Sequence, residues 1–545
     1  MPPSSDYVPA GASLSQRDRL TALAGILLAL FLGALDQTIV STALPRIVES
    51  LGGVTRYAWV ATAYLLASTA MVPIYGKLAD IASRRLIELW AIVLFLSGSV
   101  LCGLAGEFGT LPLLGDGMTQ LILARALQGL GGAGLFAMAF IVIADLFPPR
   151  ERGKYQGLVG ATFGVASVLG PLLGGLLADH GDALVPGVEG WRWVFYVNLP
   201  FGAVALWFVL RRMPPLLPPS RGRIDVPAAL LLMTGLAAFV LALQLDKAVH
   251  PWGAPETLAL FAASAVSLAL FVWRTRRAAD PLLDLGLFRL PVFSASVVAL
   301  FFYGGAFIGL IVFLPLFLIN VVGVSATQAG VALIPFSMGV VFGSTVSGQL
   351  VSRFGRYKPF MIGGGAVLAA GTFLLSRMST ATSFWEVTAY TVVCGLGAGP
   401  SLPLFPLAIQ NAVDVRSLGQ ATSASQFFRQ IGGSVGAAAM GSILAVTLLA
   451  HLGPEALAAL SGQTGELATG APVLTEPVRE AFAAASQNMY TLGLAVVAVG
   501  WVATLFVPSI PLRKTFGPAA GRGTEIGAPE GQPVEPEVVP AVPVH

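Results

Sequence analysis

Two charges stand in stretches that are otherwise apolar. Asp36 lies within residues 20 to 44, ahead of QTIVSTALP, and Arg125 lies in RALQGLGGAG at residues 125 to 134. A carboxylate or guanidinium inside a membrane-spanning helix costs several kcal/mol unless it meets a partner or a wet cavity, so each marks a candidate functional site. A carboxylate in such a place can be charged in one state and neutral in another, which is proton-binding chemistry. Arginine does not readily lose its proton, so Arg125 can organise an acid or a water without carrying the proton itself. Gln128, Gly129 and Gly132 share its helix face. The bland alternative for both charges is a structural pair. Arg429, in QFFRQIGGSVG with Gln426 and Gln430 beside it, is the matching charge of the second half. It is a candidate substrate contact or the centre of a hydrogen-bond network between helices.

These residues need helices long enough to cross a bilayer, and the composition supplies them. Of 545 residues, 55% are hydrophobic and only 11% charged, against about 25% charged in soluble domains. Segments of about 20 apolar residues occur near 20–44, 57–79, 86–106, 119–146, 153–178, 193–211, 224–245, 256–273, 291–320, 327–350, 359–377, 384–411, 420–450 and 484–509. The chain is read as an all-α integral membrane protein of fourteen spans. The first span exceeds the apolar core of a signal peptide and lacks a convincing cleavage site. Of 31 Lys and Arg, roughly 23 fall on one side and about six on the other, which places both termini in the cytoplasm. The net charge of +3 is scattered through short loops, without a basic stripe for nucleic acid. Cys102 and Cys394 lack metal-ligand spacing and read as packing residues, and no metal site is expected. The histidines, His180, His250, His451 and His545, fall in loops or the tail. No GxxxxGK[ST] phosphate loop occurs, so no nucleotide cofactor is expected.

An internal repeat gives the organisation. GKLADIASRR at 76–85 aligns with GQLVSRFGRY at 348–357, pairing Gly76 with Gly348, Leu78 with Leu350 and Arg84 with Arg356. Two homologous bundles related by an axis along the membrane normal account for the recurrence. The expected divisions are a cytoplasmic segment 1–19, a six-helix bundle 20–212, a linker 213–290 with two inserted helices, a six-helix bundle 291–510, and a disordered tail 511–545. Asp246, at the external end of the insert, needs no function. The external loop 451–483 holds two helix-compatible pieces and reads as a spacer or a partial lid.

The motifs have local physical meanings. Asp80, Arg84, Arg85 and Asp145 end or begin helices on one side, and such a charge cluster can hold one conformation and release it in another; a plain basic loop is the alternative. In GVASVLGPLLGG, Gly164, Gly170, Gly174 and Gly175 permit close helix approach, and Pro171 removes a backbone hydrogen bond. Gln37, Tyr64, Gln128, Tyr303, Gln426 and Arg429 are the expected cavity residues, with Phe301, Asn320, Gln410 and Asn411 as weaker candidates.

LDQTIVSTALP, GKLADIASRR, RALQGLGGAG, GVASVLGPLLGG and WRWVFYVNLPFG, in this order and at these topological positions, resemble the fourteen-helix drug/proton antiporter branch of the major facilitator superfamily. The likeness runs from about residue 17 to 510. It implies a major facilitator fold and export of lipophilic, cationic compounds in exchange for protons by alternating access, in a bacterial cytoplasmic membrane. The proton gradient would drive it without a cofactor, and a monomer is expected. The resemblance assigns proton coupling to Asp36 and Arg125, and an outward-open latch to Gly76, Asp80, Arg84, Arg85 and Asp145. It also assigns the antiporter motif to Gly164, Gly170, Pro171, Gly174 and Gly175. This chain departs by carrying Ser83 where glycine is usual and Ile81 where a base is common, which predicts a tighter turn or a weaker latch. The same motifs fit an exporter of an endogenous lipid, siderophore or metabolite. From another class, a non-transporting membrane sensor is the alternative. An enzyme is not expected, for want of a nucleophile or clustered acid and histidine residues.

Overall fold

The computed structural model describes residues 11, 13–52, 56–112, 114–185, 187–216, 222–245, 250–462 and 475–513. Asp246, the centre of the 451–483 loop and the tail from Gly517 lie outside these residues. Backbone amides in a bilayer must find partners within their own segment, so apolar stretches of this length fold as helices. Among the described residues, fourteen helices are long and apolar enough to cross a membrane. They are α1 (Gln16–Leu44), α2 (Trp59–Ile81), α3 (Arg84–Gly103), α4 (Gly117–Leu146), α5 (Pro149–Ala183), α6 (Gly190–Arg212), α7 (Val226–Gln244), α8 (Pro255–Arg277), α9 (Pro291–Val322), α10 (Gln328–Phe354), α11 (Lys358–Leu375), α12 (Phe384–Ala412), α13 (Val415–Gly453) and α14 (Glu476–Leu505).

Their ends carry the expected chemistry. The Asp116 side chain accepts from the Thr119 amide to cap α4, and Ser383 with Glu386 forms a reciprocal capping box at α12. The largest boundary difference is α14, which begins at Glu476 rather than near 484, because its first turns are polar and invisible to hydropathy. His180 and His451 fall in the last turns of α5 and α13 rather than in loops; the ring of His451 meets the Thr447 carbonyl at 2.8 Å.

Within the first six helices, α1 lies against α4, α5 and α6, and α4 against α2 and α3. Within the last six, α9 lies against α13 and α14, and α12 against α10 and α11. Buried apolar side chains form two main clusters, one centred on each group. The inserted α7 and α8 lie against each other, and α7 leans on α2 and α13.

The two groups meet chiefly along two helix pairs, α2 with α13 and α5 with α10, with smaller contacts of α5 with α12 and α4 with α13. Small residues bring the backbones together. A Cβ on Gly76 would overlap Ser423 Oγ, and one on Gly348 would overlap the Gly153 carbonyl. Gly157, Gly160 and Gly164 continue this seam along α5, facing Ser344 and Val341 of α10. The repeat glycines therefore occupy equivalent places in the two crossings. These approaches fall in the halves of the helices next to the loops bearing Arg84, Arg150 and Arg356, so the molecule is closed on the side of the basic loops.

Candidate functional site

The first polar centre forms inside the first bundle. Asp36 of α1 is fully buried. Its Oδ2 accepts from Arg125 Nη1 at 2.6 Å, and its Oδ1 accepts from Gln128 Nε2 at 2.8 Å and from Asn198 Nδ2 at 3.0 Å. Arg125 also donates through Nη1 to Gln128 Oε1 at 2.7 Å and through Nε to the Val60 carbonyl at 3.3 Å. Its guanidinium lies 4.4 Å from the centroid of the Tyr64 ring. Ser99 closes the network, accepting from Gln128 and Asn198 at 3.2 and 2.9 Å and donating to the Phe195 carbonyl. Arg125 lies about 12 Å from the Gly117 end of α4, at 1.5 Å per residue, and so in the membrane half away from the basic loops.

A charge pair this deep survives only when its remaining hydrogen-bonding capacity is met, and four helices supply the donors and acceptors. Adding a proton to Asp36 would remove the negative charge that holds Arg125. In this conformation the carboxylate is sealed from solvent by the helices around it.

The second centre joins helix ends on the basic side. Arg84 Nε donates to Asp145 Oδ2 at 2.7 Å, with both side chains buried. Asp80 reaches across to the other bundle and accepts from the Gly419 and Gln420 amides at 2.7 and 3.0 Å, at the start of α13. A carboxylate there favours the positive end of the helix dipole. Lys77 pairs with Asp280 of the linker. Enclosure works against the charge of Asp280, but hydrogen bonds from Lys77 and the Arg223 amide outweigh it and hold the carboxyl below its ordinary range. Arg85 does not join this cluster; it is turned outward and donates to the Leu210 carbonyl.

Across the seam, Arg150 donates to the Ser352 and Arg353 carbonyls at 3.3 and 3.2 Å, and Gln156 donates to Gln410 at 2.8 Å. Thr69 of α2 donates to Gln430 of α13 at 2.9 Å. Arg429, next to Gln430, is half-buried and donates through Nε and Nη2 to Gln426 Oε1 at 3.1 and 2.7 Å.

The remaining sequence candidates separate. Gly164 faces Val341 of the other bundle, whereas Gly170 and Gly174 meet Thr38 and Thr42 of α1 in their own bundle, next to the Asp36 network. Gly175 has open space where its Cβ would be, and Pro171 lies inside a continuous helix. Tyr303 faces the interior of the second bundle, where its hydroxyl lies 3.2 Å from Thr504 Oγ1. Gln37 lies half-buried beside Asp36. The sequence reading missed Asn198 and Ser99. An amide inside the apolar WRWVFYVNLPFG was a signal for the first; nothing local distinguished the second. It also missed Glu88, which is fully buried in α3 with neither carboxyl oxygen hydrogen-bonded among the described residues.

Comparison with known proteins places this architecture. The profile of the Major Facilitator Superfamily matches residues 26–437. The chain is 37% identical over 429 residues to the multidrug transporter protein MdtP of Bacillus subtilis, covering 79% of this chain and 76% of that protein. It is 35% identical over 464 residues to multidrug resistance protein 3 of the same organism, covering 85% and 86%. Among solved structures, the proton:xylose symporter XylE superposes with a TM-score of 0.59 at 16% identity over 93% of this chain and 99% of that one, a likeness of fold alone. The family matched is one of transporters and not of enzymes, and the chain belongs to the Major Facilitator Superfamily.

Proposed function

We propose that this protein exports lipophilic small molecules across the cytoplasmic membrane in exchange for protons, by alternating access between its two bundles. One observation carries the reading: the Asp36 carboxylate, buried in the membrane, is held by Arg125, Gln128 and Asn198 from two other helices. A proton arriving there changes the forces between α1, α4 and α6 together. The relatives named for multidrug transport and multidrug resistance support the substrate class.

In the state described, the basic side is closed by the Asp80 cap and the two glycine crossings, with Arg84–Asp145 bracing the ends of α3 and α4 within the first bundle. With both termini cytoplasmic, this is the outward-facing state. Protonation of Asp36 from outside would loosen Arg125, and opening of the basic side would follow the parting of α2 from α13 and α5 from α10. The proton gradient supplies the energy, with about 2.3 kcal/mol more for each charge moved across 100 mV.

The test uses purified protein in liposomes with an acidic interior and the membrane potential clamped. Uptake of a fluorescent lipophilic cation is followed for wild type and Asp36→Asn, with thermal unfolding as a check on assembly. Gradient-driven accumulation by the wild type and its loss in Asp36→Asn are expected. Full coupled uptake by Asp36→Asn would move the proton site elsewhere, and no uptake by the wild type would count against exchange of such compounds.

A further inference from the structure

We propose that Arg429 is a head-group site of the transport cleft, and that it takes amphipathic compounds bearing a carboxylate or a similar anionic group. This inference deepens the exporter reading above and rests on it. It differs from the cationic preference expected from Asp36.

The argument starts from the charges that a substrate can meet. Other arginines buried in the bundles are engaged by acids or carbonyls: Arg125 by Asp36, Arg84 by Asp145, Arg192 by Glu107 and Glu189, and Arg152 by the Phe147 and Ala144 carbonyls. Arg429 has the Gln426 amide oxygen as its polar partner, and among the described residues no carboxylate lies within ion-pair distance of it. An amide oxygen does not neutralise a guanidinium. Both bonds use the Nε and Nη2 side, which fixes the plane of the group and leaves the end-on pair, Nη1 with the second hydrogen of Nη2, for a further acceptor. Guanidinium binds carboxylates through two parallel donors, so a fixed fork is a recognition element.

Position supports the same reading. Arg429 lies about 21 Å along α13 from its Val415 end at 1.5 Å per residue, well inside a hydrocarbon core of about 30 Å. Its neighbour Gln430 accepts from Thr69 across the bundle interface. Along α13 that bond lies farther from the basic loops than the Asp80 contacts with Gly419 and Gln420, so Arg429 stands at the inner end of the seam. It remains half-buried, with Phe428 and Ile431 half-buried around it, so an acidic head and an apolar body both find matching chemistry. Asp36 is fully enclosed and consumed by its own partners. Of these two membrane-embedded charges, Asp36 is enclosed and Arg429 only half-buried, so the charge left for a ligand is positive, which attracts anions and disfavours cations.

The full chain in lipid nanodiscs is titrated with a dansyl-labelled fatty acid and with the matching dansyl-labelled alkylamine, with empty nanodiscs subtracted. The acid should bind the wild type saturably and more tightly than the amine. R429Q should weaken the acid roughly ten- to hundredfold, the range for charge-assisted hydrogen bonds, and should not weaken the amine, whose repulsion by the guanidinium is removed. R429K, which keeps the charge without the fork, should recover part of the loss, and it also serves if R429Q fails to assemble. Acid binding unaltered by both substitutions, tighter binding of the amine to the wild type, or no saturable binding of the acid to the wild type would each overturn the proposal. Arg429-dependent binding without gradient-driven transport in liposomes would sink the exchange reading and leave this site standing.

Discussion

The two copies of the repeat turn share a backbone plan and differ in chemistry. Asp80 of the first copy accepts from amides at the start of α13, and its counterpart Ser352 accepts from the Lys154 amide near the start of α5 at 3.0 Å. Each turn thus touches the opening turns of a helix in the opposite bundle. Arg84 is fully buried against Asp145, whereas Arg356 is exposed. Lys77 is tied to Asp280 of the linker, while its counterpart Gln349 is exposed. One copy carries buried charges at its contacts and the other, on the same backbone plan, makes a neutral polar contact; the proposed latch belongs to the first and a hinge to the second. A single duplicated scaffold therefore concentrates the electrostatic cost of opening on one of its two crossings.

Breaking the charged copy should have the largest effect. Arg84→Ala leaves Asp145 buried without its ion-pair partner, which costs about 3–5 kcal/mol, while Arg356→Ala should stay within about 0.5 kcal/mol. Thermal unfolding gives the stability term. Labelling of a Gln410→Cys probe behind the seam, in a background without Cys102 and Cys394, gives the opening term. Equal effects of the two substitutions would erase the distinction between latch and hinge. Asp145→Ala added to Arg84→Ala should restore part of the loss, because the stranded charge is removed.

The two crossing glycines test shape instead of charge. Gly348→Ala meets the backbone carbonyl of Gly153, which cannot move without parting α5 from α10, and should cost about 1–3 kcal/mol of the closed state. Gly76→Ala first meets the hydroxyl of Ser423, with the Gly419 carbonyl 2.8 Å from the added carbon. Its effect should be smaller and be relieved in part by Ser423→Gly. The Gln410→Cys labelling rate reads both. Insensitivity of that rate to Gly348→Ala would mean that the α5–α10 seam does not close the molecule.

The smallest effects belong to the turns themselves. Gly355 has φ of 71°, where a side chain costs roughly 1–2 kcal/mol, so Gly355→Ala should destabilise measurably. Ser83 has φ of −62° and ψ of 124°, an ordinary extended conformation. Ser83→Gly should change stability by only a few tenths of a kcal/mol. A large gain in latch strength from Ser83→Gly would bear out the expectation of a weaker latch, and no gain would count against it.

The legible part of the site was the part that breaks a rule of its local environment. Asp36, Arg125 and Arg429 are charges in apolar stretches, and burial of charge is costly enough to mark them. Tyr303 was assigned to the cavity because α9 is apolar on every side, so its pattern does not distinguish a face toward the cleft from one toward Thr504. Gly175 sits in a motif of close-approach glycines yet meets nothing within 4 Å, since identity of residue type does not fix which neighbour lies opposite. Glu88, one turn from the basic end of its helix, reads locally as part of a charged loop. Only the surrounding helices enclose it.

Span number, the side bearing the basic loops and the twofold repeat follow from hydropathy, charge bias and spacing, because the bilayer imposes helix length and satisfied backbone bonds on any such chain. Partner choice follows from none of these. That Asp36 takes Asn198 from 162 positions away, that Asp80 caps a helix of the other bundle, and that Arg429 keeps an open edge were decided by helix packing, in which rotation by a fraction of a turn exchanges one neighbour for another.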